Sequence, residues 1–85
     1  QYISKEKEYL YRALDTLRVR YWKSAANYIL LKSDPELKKW LITEGILIRD
    51  CSNYRNLSEG YFRIAVKSHA DNAKLIAALK VVLER

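Results

Sequence analysis

The sequence predicts an α+β domain in which helices pack on one face of a mainly antiparallel four-stranded sheet, in the order α-β-β-α-β-β-α. Two observations carry this prediction. Apolar residues recur at three- and four-residue intervals near both ends of the chain and once in its middle, as in helices, and short β-branched and aromatic runs lie between them. With 85 residues, 49% of them hydrophobic, the chain is expected to form a single domain over residues 1–85.

The first third of the chain predicts a helix followed by two strands. Ser4 is a suitable N-cap for the helix. The apolar positions of this helix recur with helical spacing at Leu10, Ala13, Leu14 and Leu17. Residues 19–22 and 27–32 are rich in β-branched, aromatic and other apolar side chains, which favours strands. Residues 23–26 are expected to form the tight connection between them.

A second helix is predicted after residue 33. Asp34 would be its N-cap, and Pro35 would occupy the first helical position, where proline is well tolerated. Gly45 is expected to end this helix, because glycine adopts the left-handed conformation that helix termini require. The buried stripe is predicted at Leu37, Trp40 and Leu41.

Residues 46–49 and 61–67 predict the third and fourth strands, joined by a loop at residues 50–60. Side chains alternate between the two faces of a strand. The core face of the fourth strand is therefore predicted to carry Phe62, Ile64 and Val66. Its other face would carry Tyr61, Arg63, Ala65 and Lys67.

The last helix is predicted to start at Ser68, which has Asp71 three residues further on, the spacing of a capping box. Its apolar stripe is expected at Leu75, Ile76, Leu79, Val82 and Leu83.

The formal net charge of +6 invites a nucleic-acid interpretation. The basic residues, however, are spread along the chain and interleaved with Glu and Asp, as on solvated helix faces, so we expect no nucleic acid as partner. No apolar run approaches the roughly 20 residues that cross a bilayer, so no membrane partner is expected either. The single cysteine, Cys51, fits a reducing compartment and a cytoplasmic location. The absence of methionine leads us to expect a fragment of a larger protein.

Two arginines are the candidate site residues. Arg49 and Arg63 lie fourteen positions apart, on either side of a polar loop and next to apolar runs. Each guanidinium group can bind a carboxylate or a phosphate bidentately, so the pair suits a small substrate with two anionic groups. A plainer interpretation stays open for each, because a half-exposed sheet face tolerates long charged side chains that reach solvent. Catalytic residues and metal ligands are not predicted.

Several segments resemble a known family. ILIRDCSN, then a short loop and YFRIAV, is similar to the C-terminal small domain of pyridoxal-phosphate-dependent class I/II aminotransferases of fold type I. The similarity is greatest to the histidinol-phosphate aminotransferase and threonine-phosphate decarboxylase group. SAANYILLK resembles that family's Ser-x-Ala-Asn-Phe strand, with Tyr28 where Phe is usual. SHADNAKLIAAL resembles its last helix, with Ala70 and Asp71 in place of two acids.

The resemblance implies roles for the two arginines. Arg63 matches the arginine that holds the substrate carboxylate, and Arg49 the one that contacts the substrate phosphate in phosphate-handling members. It also implies a homodimeric parent enzyme that binds pyridoxal phosphate through a separate large domain, since no lysine here matches the cofactor lysine. Transamination of histidinol phosphate with 2-oxoglutarate and decarboxylation of L-threonine O-3-phosphate both remain open, although the loop looks more like that of the decarboxylases.

Other residues are expected to have structural roles. His69 is expected at the surface. The charges of Arg49 and Arg55 could lower the pKa of Cys51, but no histidine base accompanies this thiol, so nucleophilic catalysis is not expected. Trp22 and Trp40 would anchor the core or a domain interface. A half-buried aromatic surface for docking is expected at Tyr21, Tyr54 and Tyr61.

A rival function stays open. A stand-alone basic α+β module could hold single-stranded RNA on the aromatic and cationic side chains of its sheet. Such platforms need solvent-facing aromatic residues on the two central strands. The fourth predicted strand offers only Tyr61 and an arginine in this role.

Overall fold

A computed structural model of the protein describes residues 2–24, 26–51 and 58–84. The elements follow the predicted order: α1 (Tyr2–Thr16), β1 (Arg20–Trp22), β2 (Tyr28–Lys32), α2 (Leu37–Thr43), β3 (Arg49–Asp50), β4 (Tyr61–Ala65) and α3 (His69–Leu83). The predicted α+β class and the α-β-β-α-β-β-α order are confirmed. Within these ranges, no helix has both the length and the apolar character that crossing a bilayer requires.

The four strands form one antiparallel sheet in the order β1-β2-β4-β3. β2 and β4 are central and share five residue pairs, from Tyr28 opposite Ala65 to Lys32 opposite Tyr61. β3 is a short edge strand that pairs with β4 at two positions. This topology brings together residues on β3 and β4 that are far apart in sequence.

The core lies between one face of the sheet and the helices. Phe62, Ile64 and Val66 are buried, as the alternation along the fourth strand predicts. They share the core with buried residues of β2, α1, α2 and α3: Ile29, Leu31, Leu10, Leu14, Leu37, Leu41, Leu75, Leu79 and Val82. Each such side chain stabilises the fold by about 1.5–3 kcal/mol relative to an exposed position. The core thus fixes which face of β4 is left for other contacts.

The start of α1 differs from the prediction, because the helix begins at Tyr2 and Ser4 lies inside it. Ile3 explains the difference: it continues the apolar periodicity and packs against the core, which favours two further helical residues. α2 begins at Leu37, later than predicted. Asp34 caps the preceding turn instead, because its Oδ1 accepts the Glu36 N–H at 2.8 Å.

The end of α2 shortens the third strand. Gly45 has φ +78° and ends the helix, as predicted. The N–H groups of Gly45 and Ile46 donate to the carbonyl oxygens of Ile42 and Leu41, the pattern of a Schellman motif. Ile46 is therefore part of the helix terminus, and strand pairing begins only at Arg49. The predicted strand at residues 46–49 is wrong in its bounds for this reason.

The predicted loop at residues 50–60 lies partly outside the described residues, namely at 52–57. Its last residue, Gly60, has φ +94°, and its carbonyl oxygen accepts the Ser33 N–H at 2.8 Å. A Cβ at this position would lie 2.6 Å from the Ser33 oxygen. Glycine is therefore required both by backbone conformation and by space.

Candidate anion-binding site

Arg49 and Arg63 lie directly opposite each other in the β3–β4 pair. Opposed residues of antiparallel strands project from the same face of the sheet, with Cβ atoms about 4.5–5.5 Å apart. Arg63 belongs to the face away from the core, since its neighbours Phe62 and Ile64 are buried. The structure therefore brings the two predicted site residues together on one face.

This arrangement is electrostatically unfavourable without a counter-charge. Like charges directly opposite on neighbouring strands destabilise a sheet. Arg49 is exposed, whereas Arg63 is half-buried, so water screens the two groups unequally. An anion bound between them would relieve the repulsion and gain charge-assisted hydrogen bonds from both guanidinium groups.

Tyr28 supports Arg63 from the neighbouring central strand. The Arg63 guanidinium carbon lies 4.7 Å from the centroid of the Tyr28 ring. Tyr28 pairs with Ala65, whose methyl group leaves room for the ring to reach the arginine two residues earlier. A guanidinium over an aromatic face gains a cation–π interaction and loses rotational freedom. The ring thus holds Arg63 in place.

A cleft of about 900 Å³ adjoins the arginine pair. Its walls are residues 45–50, β4 from Arg63 onward and the first turns of α3. This volume is in the range of small-molecule sites. Five basic residues and two acidic residues line the cleft. The acidic residues are Asp50 and Asp71, and the basic ones are Lys38, Arg49, Arg63, Lys67 and Lys74. The cleft therefore favours an anionic ligand.

Comparison with known proteins identifies the family. A family model described as "Aminotransferase class I and II" matches residues 1–80. The chain belongs to this family. Among relatives, it is 40% identical to the threonine-phosphate decarboxylase of Salmonella typhimurium over 96% of the chain and 24% of that protein. It is 35% identical to the histidinol-phosphate aminotransferase of Methanosphaera stadtmanae over 93% of the chain and 23% of that protein.

Solved structures agree with this assignment. The histidinol-phosphate aminotransferase from Clostridium acetobutylicum superposes with a TM-score of 0.90 at 30% identity, over 98% of this chain and 27% of that one. The L-threonine-O-3-phosphate decarboxylase from Porphyromonas gingivalis gives a TM-score of 0.77 at 33% identity, over 96% of this chain and 28% of that one. The resemblance inferred from the motifs is confirmed. This aminotransferase-family chain spans about a quarter of the length of these relatives.

Cys51 lies beside the arginine pair but is fully buried. Burial raises the pKa of its thiol, and this effect outweighs the opposing charges of Arg63 and Arg49. The charge of Arg49 does lower this pKa, as expected, but the net shift is upward because desolvation of the thiolate costs more than the two cations return. Arg55, also expected to contribute, lies outside the described residues. A buried neutral thiol is a structural residue in this aminotransferase-family chain.

The outer sheet face is the side of the sheet away from the helices, and it carries aromatic rings and cations. The Arg20 Cζ atom lies 5.3 Å from the centroid of the Trp22 ring, and the Lys32 Nζ atom lies 4.6 Å from the centroid of the Tyr61 ring. The rings of Trp22 and Tyr61 are 5.7 Å apart. Tyr21 does not belong to this face, contrary to expectation, because it packs against the core and stacks on Tyr11. Tyr54 lies outside the described residues.

Trp40 and His69 lie in the environments that the sequence predicts. Trp40 is partly buried and packs against the core, as expected. His69 is exposed, as expected, yet its Nδ1 lies 3.2 Å from both carboxylate oxygens of Glu6, and its ring contacts Tyr9. Among the described residues, no group of three or more His, Cys, Asp and Glu side chains is arranged to hold a metal ion.

The sequence patterns predict no role for Tyr28, Glu6 or Asn72. In the sequence, Tyr28 stands out only because the motif usually has Phe at this position. The aromatic residue itself is the feature that could have indicated a contact with Arg63. Asn72 stands in the tail motif SHADNAKLIAAL, and its side-chain amide makes buried hydrogen bonds to Glu6 and to the Lys67 backbone. Glu6 gives no signal, because an acid on an exposed helix looks like any other solvated residue.

Proposed function

We propose that this chain is the substrate-anchoring small domain of a pyridoxal-phosphate-dependent aminotransferase or decarboxylase that acts on a phosphorylated amino acid or amine. Arg63 would hold the carboxylate and Arg49 the phosphate. The observation that carries the proposal is the register that places Arg49 opposite Arg63 on one sheet face, next to a basic cleft. The relatives named threonine-phosphate decarboxylase and histidinol-phosphate aminotransferase support a phosphorylated substrate.

The two arginines suit different anionic groups. Arg63 is half-buried and held by Tyr28, so it presents a fixed fork, which matches the planar geometry of a carboxylate. Arg49 is exposed at the edge strand and can follow a phosphate carried at the end of a longer side chain. Each charged hydrogen-bonded contact contributes about 1.5–3 kcal/mol. In a substrate that carries both a carboxylate and a phosphate, together they would fix both the affinity and the orientation.

Pyridoxal phosphate supplies an electron sink for reactions at an amino-acid Cα when it is bound. The described residues do not fit this group. A Schiff-base lysine is desolvated to lower its pKa, whereas Lys67 and Lys74 of the cleft are exposed and Lys38 is half-buried. On the outer sheet face, the rings of Trp22 and Tyr61 each already have a cationic side chain over them, Arg20 and Lys32 respectively. Another part of the enzyme would hold the cofactor.

The remainder of the enzyme is the partner that we propose for the outer sheet face. That face carries the exposed rings of Trp22 and Tyr28, and both are 36% exposed. Because Arg63 lies on the same face, a large domain docked there would enclose the substrate between itself and the arginine pair. A cytoplasmic homodimer is part of the proposal.

A second candidate is supported by one observation. Tyr28 and Tyr61 lie on the two central strands of the sheet, with cations close to both rings. This is the placement that single-stranded RNA platforms use. Titration with single-stranded RNA at moderate salt separates the two candidates, since salt-dependent micromolar binding would favour RNA.

The direct test assays the complete enzyme with its cofactor. O-phospho-L-threonine should release carbon dioxide, or histidinol phosphate should transfer its amino group to 2-oxoglutarate. The non-phosphorylated analogues should react much more slowly. A complete enzyme that prefers the non-phosphorylated compounds would contradict the proposal.

A further inference from the structure

A buried side-chain amide binds the backbone two residues after the end of strand β4. Asn72, in the first turns of α3, is 1% exposed. Its Oδ1 accepts a hydrogen bond from the Lys67 backbone N–H at 3.0 Å, and its Nδ2 donates one to the Lys67 carbonyl oxygen at 2.9 Å. The amide thus makes with Lys67 the two bonds that a residue of a neighbouring antiparallel strand would make.

The end of β4 needs such a partner because β3 is short. β3 pairs with β4 only at Phe62 and Arg63. In the described part of the chain, no strand continues beside residues 65–67 on the cleft side. Backbone groups at such an edge must be satisfied by side chains or water. Asn72 therefore replaces the missing strand where the chain leaves the sheet.

Asn72 is itself fixed from α1. Its Nδ2 also donates to Glu6 Oε1 at 2.9 Å, and Glu6 is buried although it is an acid. Both Glu6 oxygens lie 3.2 Å from His69 Nδ1. The Asn72 amide thus connects α1, α3 and the end of β4. Its position is set by two helices and not by the strand alone.

This connection lies in the wall of the cleft that holds the arginine pair, since Asn72 and Lys67 line it together with Arg49 and Arg63. We propose that Asn72, held by Glu6, is a positioning residue that fixes the end of β4 and thereby the direction in which Arg63 presents its guanidinium group. The inference rests on the proposed function. A displacement of about 1 Å in a substrate-binding group can lower a rate on the order of 100-fold.

The test is a double-mutant cycle between Asn72→Ala and Arg63→Lys in the complete enzyme. The measured quantities are kcat/KM and KM for the carboxylate-bearing substrate. Asn72→Ala alone should lower kcat/KM by roughly 10- to 100-fold, with most of the loss in KM. In the Arg63→Lys background it should add almost nothing, because residues that act through one another are not additive. Independent, additive losses would overturn the inference.

Ser68→Ala is the matched control for simple loss of stability. Ser68 caps the same helix, and its Oγ accepts the Asp71 N–H at 3.2 Å, whereas the side-chain hydrogen bonds to the Lys67 backbone come from Asn72. This variant should be destabilised yet keep the wild-type KM. If Asn72→Ala does not fold, Glu6→Gln replaces it, because removing the charge weakens the hydrogen bond that holds the Asn72 amide. Glu6→Gln should also raise KM, and an unchanged KM would overturn the inference.

Hydrogen exchange at the Lys67 amide gives a readout independent of activity. Asn72→Ala should accelerate exchange there, whereas Ser68→Ala should not. Unchanged protection of Lys67 in Asn72→Ala, in an active enzyme, would overturn the inference and leave the proposed function standing. A complete wild-type enzyme without activity on the phosphorylated substrates would overturn the proposed function, and the role of Asn72 with it.

Discussion

The guanidinium carbon of Arg63 lies 4.7 Å above the ring of Tyr28, one strand away in the sheet. This contact makes the position of Arg63 depend on the Tyr28 ring. Cation–π contacts of this kind are worth about 0.5–2 kcal/mol.

Replacement of the Tyr28 ring should therefore weaken binding of the carboxylate. In the complete enzyme, Tyr28→Leu should raise KM for the carboxylate-bearing substrate by roughly 2- to 30-fold. Tyr28→Phe keeps the aromatic face and should change KM little. Steady-state kinetics of both variants check this, and equal effects from Leu and Phe would show that the ring does not hold Arg63.

Arg63→Ala should weaken binding of the carboxylate-bearing substrate by roughly 10- to 150-fold, because a charged hydrogen-bonded contact of about 1.5–3 kcal/mol is lost. Arg20→Ala is the matched control, since Arg20 also lies over an aromatic ring, that of Trp22, but not in the cleft lining. Equilibrium binding of a substrate analogue measures both. A similar loss in Arg20→Ala would mean that general positive charge, and not Arg63, binds the carboxylate.

Arg49→Ala should act selectively on phosphorylated substrates. We expect kcat/KM for the phosphorylated substrate to fall by roughly 10- to 150-fold, and kcat/KM for its non-phosphorylated analogue to change little. The ratio of the two values is the measurement. An equal loss for both compounds would refute the phosphate role and indicate that Arg49 only supports Arg63.

The Cys51 thiol should react slowly in the folded protein. Burial raises its pKa and excludes reagents, so little thiolate is present near neutral pH. The rate of iodoacetamide labelling at Cys51, followed by peptide mass spectrometry, should rise strongly when urea unfolds the protein. Labelling of the folded protein as fast as the unfolded chain would mean that the arginine charges dominate after all.

Stability should depend on pH through Glu6. The pKa of this carboxyl is lowered below its ordinary value of 4.5, chiefly by the hydrogen bond from Asn72 and against the effect of burial. Because the folded-state pKa is lower than the unfolded one, the contribution is present above about pH 4.5 and is lost as pH falls through the folded value. Urea midpoints of wild type and Glu6→Gln should differ at pH 7 and converge in acid.

Glu8→Gln serves as the control for this pH dependence, since Glu8 is an exposed acid on the same helix. Its midpoint should follow wild type across the pH range. A wild-type advantage over Glu6→Gln that grows in acid would contradict the assigned direction.

Local sequence was sufficient for the elements and for the choice of the two arginines. Helical periodicity, strand alternation and the signals at Ser68 and Gly45 depend only on neighbouring residues, and the structure has these features where they were expected. Boundaries failed where a tertiary or capping contact decided them. Ile3 extended α1 by packing on the core, and Ile46 was taken into the terminus of α2.

Local patterns and motifs are enough to predict the order of the elements, the inward face of β4 and the family. The folded chain is needed to show that Arg49 faces Arg63, that Tyr28 lies under a guanidinium group, and that burial raises the pKa of Cys51. These three features have one cause. Strand register, ring contacts and desolvation depend on partners distant in the chain, and no local pattern encodes the distance to them.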